Sequence, residues 1–178
     1  IPMSSPDLTE AEIAAVYQVV TTRYLSIGPR VDAFEAAISA YVGRAYGVGV
    51  NSGTSGLHLA VIAAGVGDGD LVLTTPFSFI ASSNCILYER GVPVFIDVDR
   101  RTGNIDPALV SEAADDLARG GEAARRWLPP ALREVGVTGR LRAILPVDAF
   151  GQPADMDPIV QTAQRYGLYV IEDSCAAL

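Results

Sequence analysis

From residue 46 onward, short and largely apolar runs alternate with helical patterns, and no other feature constrains the fold as strongly. The runs cover 46–50, 71–74, 93–98, 142–147 and 168–172. Helical stretches cover 54–65 and 79–90, a third runs from Pro107 to about 119, and a fourth from Pro158 to Gly167. Runs this short and apolar are buried on both faces, and a helix in each connection lets successive strands lie parallel. The expected fold is therefore α/β, a three-layer α/β/α arrangement around a mostly parallel sheet. Sheets of this kind take ligands just beyond the carboxyl ends of their strands. Functional residues are expected at 51–56, 75–79, 97–99, 148–151 and 172–173.

Upstream of the alternation, Thr9 and Glu12 have capping-box spacing for a helix over 10–23. The loop "YLSIGPR" follows, with Pro29 placed to open a second helix. In that helix Val31, Phe34, Ile38, Tyr41 and Val42 form one apolar face, which ends at Gly43. The stretch 120–141 breaks the rhythm: it is rich in Gly, Pro and Arg and holds the only Trp. It reads as a surface insertion with a short helix near 123–127.

The charge balance excludes some functions. Twenty-one acidic residues against 13 basic ones give a net charge of −8, the opposite of the basic stripe that nucleic acid requires. All 13 basic residues are arginine, so any step that needs a lysine amine cannot be completed by these residues. No apolar run is long enough to span a bilayer, and the two cysteines, Cys85 and Cys175, form no disulfide framework. The chain reads as part of a cytoplasmic protein with no membrane partner.

Several strand ends carry candidate chemistry. "NSGTSG" at 51–56 joins a strand to a helix, where small residues let backbone N–H groups approach an anion such as phosphate. Gly53, Thr54 and Ser55 are the candidates, and a plain N-cap at Ser52 or Thr54 is the competing account. "GVGVNS" falls short of a dinucleotide fingerprint because Ser52 stands where the third glycine belongs, and no P-loop pattern exists. In "TTPFSF", Phe79 either stacks on a planar ring or joins Phe77 in the core. The pairs Asp97/Asp99 and Asp155/Asp157 have metal-ligand spacing, but they read as a turn and a helix cap, with no metal expected. His58 reads as a packing or surface residue. Asp173, at the end of the last strand, needs a cation, a metal or a protonated heterocycle. Phosphate cradle, stacking ring and strand-end carboxylate, in that order on a parallel sheet, describe a pyridoxal phosphate pocket.

The segments "LSIGPRVDAFEAAISAYVG", "GVGVNSGTSGLHLA", "GDLVLTTPFSFIASSN", "GVPVFIDVDRRTGNIDP", "AILPVDAFGQPADMDPI" and "YGLYVIEDSCAAL" together resemble the DegT/DnrJ/StrS family of pyridoxal phosphate-dependent nucleotide-sugar aminotransferases. The likeness covers nearly the whole chain except 112–141. It implies the fold-type I large domain, a homodimer, a nucleotide-linked keto sugar as substrate, and an amino donor, typically glutamate. By motif, Gly53, Thr54 and Ser55 resemble the phosphate-binding segment, Phe79 the stacking aromatic, and Asp173 the partner of the ring nitrogen. Leu25, Ser26 and Gly28 resemble a loop near the sugar. Three features depart from the family. Ala176 stands where a polar residue is usual, Asp148 where His is common, and the linking stretch 120–141 is longer. The family's cofactor-binding lysine lies beyond the "VIED" strand, so residues 1–178 are expected to be the N-terminal part of the large domain, without the C-terminal small domain and inactive alone. A sugar dehydratase of the same family, or a non-catalytic cofactor-binding or partner domain, are the alternative readings.

Overall fold

The computed structural model describes residues 5–136 and 139–177. The chain divides into two units, Ile1–Val50 and Asn51–Leu178.

The first unit holds helices α1 (Glu10–Val20) and α2 (Pro29–Tyr41). The capping box forms: Thr9 Oγ1 accepts from the Ala11 N–H, and the Thr9 N–H donates to Glu12 Oε2 at 2.7 Å. Pro29 opens α2 as expected, because its missing N–H is one that the first turn leaves unbonded anyway. Residues 46–50 do not form the expected strand. A strand needs a neighbour to take its N–H and C=O groups, and among the described residues none pairs with this run. Tyr46 and Val48 stay exposed, and the Gly49 N–H donates instead to Glu35 Oε1 at 2.7 Å.

The second unit is the α/β body. It contains α3 (Gly53–Ala63), β1 (Leu71–Thr74), α4 (Ala81–Tyr88), β2 (Val92–Phe95), α5 (Pro107–Arg119) and α6 (Gly121–Arg125). Then come β3 (Leu141–Leu145), α7 (Met156–Tyr166) and β4 (Tyr169–Val170). The strands are parallel in the order β2-β1-β3-β4. Side chains alternate across a strand, and the sheet sorts them into two cores. Leu71, Leu73, Val94 and Ile144 pack with Val110 and Ala113 of α5 and Ile159 and Ala163 of α7. Val72, Ala143 and Leu145 pack on the other face with Leu57 and Val61 of α3 and Cys85 and Ile86 of α4. Burying each aliphatic side chain contributes about 1.5–3 kcal/mol, so both faces supply core.

Polar groups fix the edges of this body. Asp70, just before β1, accepts from the N–H groups of Gly67 and Arg140 and from Arg142 Nε, which ties the starts of β1 and β3 together. The stretch 120–141 is not wholly superficial. Leu128 is 4% exposed and belongs to the core on the α5–α7 face. Asp116 of α5 holds its approach by accepting from Trp127 Nε1 at 2.9 Å and from Arg126. The short helix falls at Gly121–Arg125, two residues earlier than expected; Val137 and Thr138 of this stretch lie outside the described residues. Asp99 closes a turn, taking the N–H groups of Thr102 and Gly103 on its carbonyl. The N-cap position of α7 is Asp155 rather than Asp157, without a side-chain hydrogen bond to the first turn; Asp157 and Pro158 both lie in that turn, where a proline is tolerated.

Candidate cofactor site

Strand order decides where the sheet opens. From β1 the chain crosses through α4 to β2 on one side, while from β3 it crosses through α7 to β4 on the other. The connections therefore diverge between β1 and β3, the point where such sheets leave a crevice at their carboxyl ends. A cavity of about 620 Å³ lies there, walled by the segments that follow β1, β3 and β4 and by the start of α3.

Asp173 forms part of its wall and is 6% exposed. Its backbone extends the ladder beyond β4: the Asp173 N–H donates to the Pro146 carbonyl, and the Asp148 N–H donates to the Asp173 carbonyl, both at 3.0 Å. The side chain accepts from Ser82 Oγ on Oδ2 at 2.6 Å and from the Cys175 N–H on Oδ1 at 3.3 Å. No salt bridge reaches it among the described residues. A carboxylate offers about four lone-pair positions, so Asp173 keeps capacity for a further donor beyond these two. Burial pushes the neighbouring Cys85 thiol up to about 11, and the Asp173 charge adds to the shift. Cys175 is likewise pushed to about 11, first by partial burial and then by its contact with Asp173. Both thiols are neutral at physiological pH and supply no counter-charge.

Phe79 is 77% exposed and lines the same cavity. Phe77 is half exposed, which removes the account of both rings as core. At the start of α3, Ser52 is the N-cap and accepts from the Ser55 N–H. The capping account and the anion account are therefore compatible: Ser52 serves Ser55, while the N–H groups of Gly53 and Thr54 have no helical carbonyl to meet. Gly53 and Thr54 line the cavity. Gly53 also packs closely, since a Cβ there would stand 2.6 Å from Cys175 Sγ and the thiol would have to shift. Ser55 differs from its two neighbours: its hydroxyl donates to Asn51 Oδ1 at 2.7 Å and it does not line the cavity.

Leu25, Ser26 and Gly28 lie in the first unit, around a separate cavity of about 370 Å³ that also includes Arg30. A Cβ on Gly28 would come within 2.9 Å of Tyr24 Cβ, so that loop closes on itself tightly.

Two features escape reasoning from residue types. Asp148, buried in the cavity wall, is tied to the fold through both oxygens: the Ala154 N–H donates to Oδ1 at 2.8 Å and Ser174 Oγ to Oδ2 at 2.7 Å. Phe150 adopts a left-handed backbone (φ 54°, ψ 27°), is 89% exposed, and packs edge-on to Phe77 at 5.8 Å. A bulky residue in that region is strained, and such strain collects at functional sites. The sequence offers the place of Phe150 in the strand-end segment 148–151 and the adjoining Gly151, itself at φ 82°.

These residues fit pyridoxal phosphate. Unbonded N–H groups at a helix start suit its phosphate, an exposed phenyl ring suits the face of its pyridine, and a buried carboxylate without a cation suits its protonated ring nitrogen. Ala176, also in the wall, presents only a methyl group and a backbone.

The sequence and fold also match known proteins. The model of the DegT/DnrJ/EryC1/StrS aminotransferase family matches residues 6–120 and 122–178. The chain is 37% identical over 178 residues to the spore coat polysaccharide biosynthesis protein SpsC of Bacillus subtilis, covering all of this chain and 40% of that protein. Among solved structures it resembles DesV of S. venezuelae (32% identity, TM-score 0.77), with 94% of this chain matching 39% of that one. It also resembles NtdA of Bacillus subtilis with bound cofactor PMP (28% identity, TM-score 0.75), with 96% of this chain matching 35% of that one. The chain thus spans about 40% of the length of the curated relative it matches. It belongs to the DegT/DnrJ/EryC1/StrS aminotransferase family.

Proposed function

We propose that the protein carrying these residues is a pyridoxal phosphate-dependent aminotransferase that converts a nucleotide-linked keto sugar to an amino sugar. Glutamate would donate the amino group, and a cytoplasmic homodimer would be the working form. The observation that carries this reading is convergence: Gly53, Thr54, Phe79 and Asp173, drawn from three distant segments, wall one cavity at the sheet's switch point. The role of SpsC in polysaccharide biosynthesis supports a sugar as substrate.

When bound, the cofactor supplies an electron sink for charge developing on the substrate's amino-bearing carbon. The chain's own residues would hold it. The Gly53 and Thr54 N–H groups would take the phosphate at the positive end of α3. Phe79 would cover one ring face and exclude water from it. Asp173 would accept the ring N–H and keep that proton in place, since a nearby carboxylate favours the charged form of a base. Covalent attachment of the cofactor and proton shuttling at the substrate carbon require a lysine amine, and these 178 residues contain none.

The methyl group of Ala176 at the cavity wall favours a second reading, a domain that binds the cofactor without turnover. One experiment separates the two. The full-length protein is titrated with pyridoxal phosphate while its absorbance is followed, then given glutamate and a nucleotide-linked keto sugar. Conversion of bound cofactor to its amine form by glutamate, and its loss in Asp173→Asn, supports the transferase. Binding without conversion supports the second reading, and absence of binding refutes both.

A further inference from the structure

Asp173 is held by a pair of serines of which one, Ser78, lines the cavity and the other, Ser82, stands behind the wall. Ser82, in the first turn of α4, is fully buried and is not part of the cavity wall. Its Oγ stands 2.6 Å from Asp173 Oδ2, 2.7 Å from Ser78 Oγ and 3.2 Å from the Phe79 carbonyl. An ionised carboxylate only accepts hydrogen bonds, and a serine hydroxyl has one proton to give. With Asp173 charged, the Ser82 proton points at Oδ2, the shortest contact and a charge-assisted one. Ser78 must then donate to Ser82, giving a one-way chain Ser78→Ser82→Asp173 in which each bond polarises the next. The other groups facing Asp173 are the neutral thiols of Cys85 and Cys175, weaker donors than a hydroxyl, and the carboxylate of Asp148, which only accepts.

We propose that Ser82, with Ser78 behind it, is a positioning residue that fixes the Asp173 carboxylate toward the ring nitrogen of the bound cofactor. Ser82 fills Oδ2 while the Cys175 N–H holds Oδ1 more loosely, so the carboxylate plane cannot turn away. A neutralised Asp173 would reverse the chain, which ties serine orientation to the charge of the site. The inference rests on the reading of Asp173 as partner of the ring nitrogen.

The test uses the full-length protein loaded with pyridoxal phosphate labelled with nitrogen-15 in the ring. The readouts are the nitrogen chemical shift against pH and the cofactor dissociation constant. Charge-assisted hydrogen bonds are worth enough to move a titration by about one unit. Ser82→Ala is expected to lower the pH at which the ring nitrogen loses its proton by about that much. Ser82→Thr should restore it, and Ser78→Ala should move it in the same direction by less. Should Ser82→Ala not fold, Ser78→Ala and Ser82→Thr carry the test alone. The proposal is overturned if Asp173→Asn removes ring protonation while the serine variants titrate like the wild type. If Asp173→Asn also titrates like the wild type, the underlying reading of Asp173 fails first, and the proposal falls with it.

Discussion

Replacing Gly53 by Ala probes the tightest contact in the cavity wall. Gly53 is the first residue of α3 and lies outside the left-handed region, so its backbone does not require glycine. On propensity alone, alanine would stabilise a helical position by up to about 1 kcal/mol. The added Cβ, however, would stand 2.6 Å from Cys175 Sγ, about 1 Å inside ordinary contact distance. Overpacking of this kind costs about 1–3 kcal/mol, so Gly53→Ala should destabilise by about 1 kcal/mol. Cys175→Ala alone, at an exposed position, should change stability by less than about 0.5 kcal/mol. With the sulfur gone, the next atom is the Cβ of residue 175 at 3.6 Å, an ordinary contact. In that background Gly53→Ala should change sign and stabilise, giving a coupling near 2 kcal/mol. Urea unfolding of the wild type, both single variants and the double variant measures the coupling directly. A coupling within about 0.5 kcal/mol of zero would refute the steric argument. Cofactor affinity should follow a different pattern. The double variant regains stability but still carries a Cβ where phosphate approaches the N–H groups, so its binding should stay impaired.

Three further outcomes are expected. Cys85 is buried with its folded pKa raised from 9.0 to about 11. Its contribution is complete below about pH 9 and is lost as pH rises toward 11; two units amount to roughly 2–3 kcal/mol. Urea midpoints at pH 8 and pH 10.5 should therefore fall further in the wild type than in Cys85→Ala, and equal falls would refute the assignment. Asp116 is held below the usual carboxylate range by its hydrogen bonds from Trp127 and Arg126, so Asp116→Ala, which removes the acceptor, should free the only tryptophan and red-shift its fluorescence, while an unshifted spectrum would show that Leu128 alone anchors the segment. The helices of the first unit bury no residue, and Ile13, Val16, Tyr17 and Phe34 are all exposed. The 178-residue chain expressed alone should therefore associate in light scattering, and a stable monomer at tens of micromolar would contradict that expectation.

The α/β body was legible because its signals are local and redundant. In β1 the apolar run, the turn glycines before it and the helix after it all agree, and the observed bounds match. The run 46–50 carries an equally good local signal and forms no strand, because pairing depends on a neighbour that no local pattern specifies. The strand β4 is likewise shorter than its apolar run: Tyr169 and Val170 stand in register with β3, and beyond them the pairing continues only as an isolated bridge between Val147 and Asp173. In the site, Gly53, Thr54, Phe79 and Asp173 could be named from residue type and place at a strand end. Ser82 could not, since a serine early in a helix reads as one of many. Phe150 stands out only through its backbone angles.

The cavity wall contains two buried carboxylates, and their bonding separates their duties. Asp148 spans two segments: Oδ1 takes the Ala154 N–H and Oδ2 takes the Ser174 hydroxyl, at 2.8 and 2.7 Å. Removing it would leave a buried N–H and a half-buried hydroxyl unpaired, so its loss should appear as instability. Asp173 has one strong donor, Ser82, and one long contact within its own loop. Its loss strands little besides a serine that can turn to the Phe79 carbonyl. A buried carboxylate that structure can spare, yet that Ser82 and Ser78 hold toward a cavity, is accounted for by a cationic guest more readily than by the fold. That asymmetry gives an ordering: Asp148→Asn should cost more stability than Asp173→Asn, and Asp173→Asn should cost more cofactor affinity. The reverse ordering in paired unfolding and binding titrations would exchange their roles.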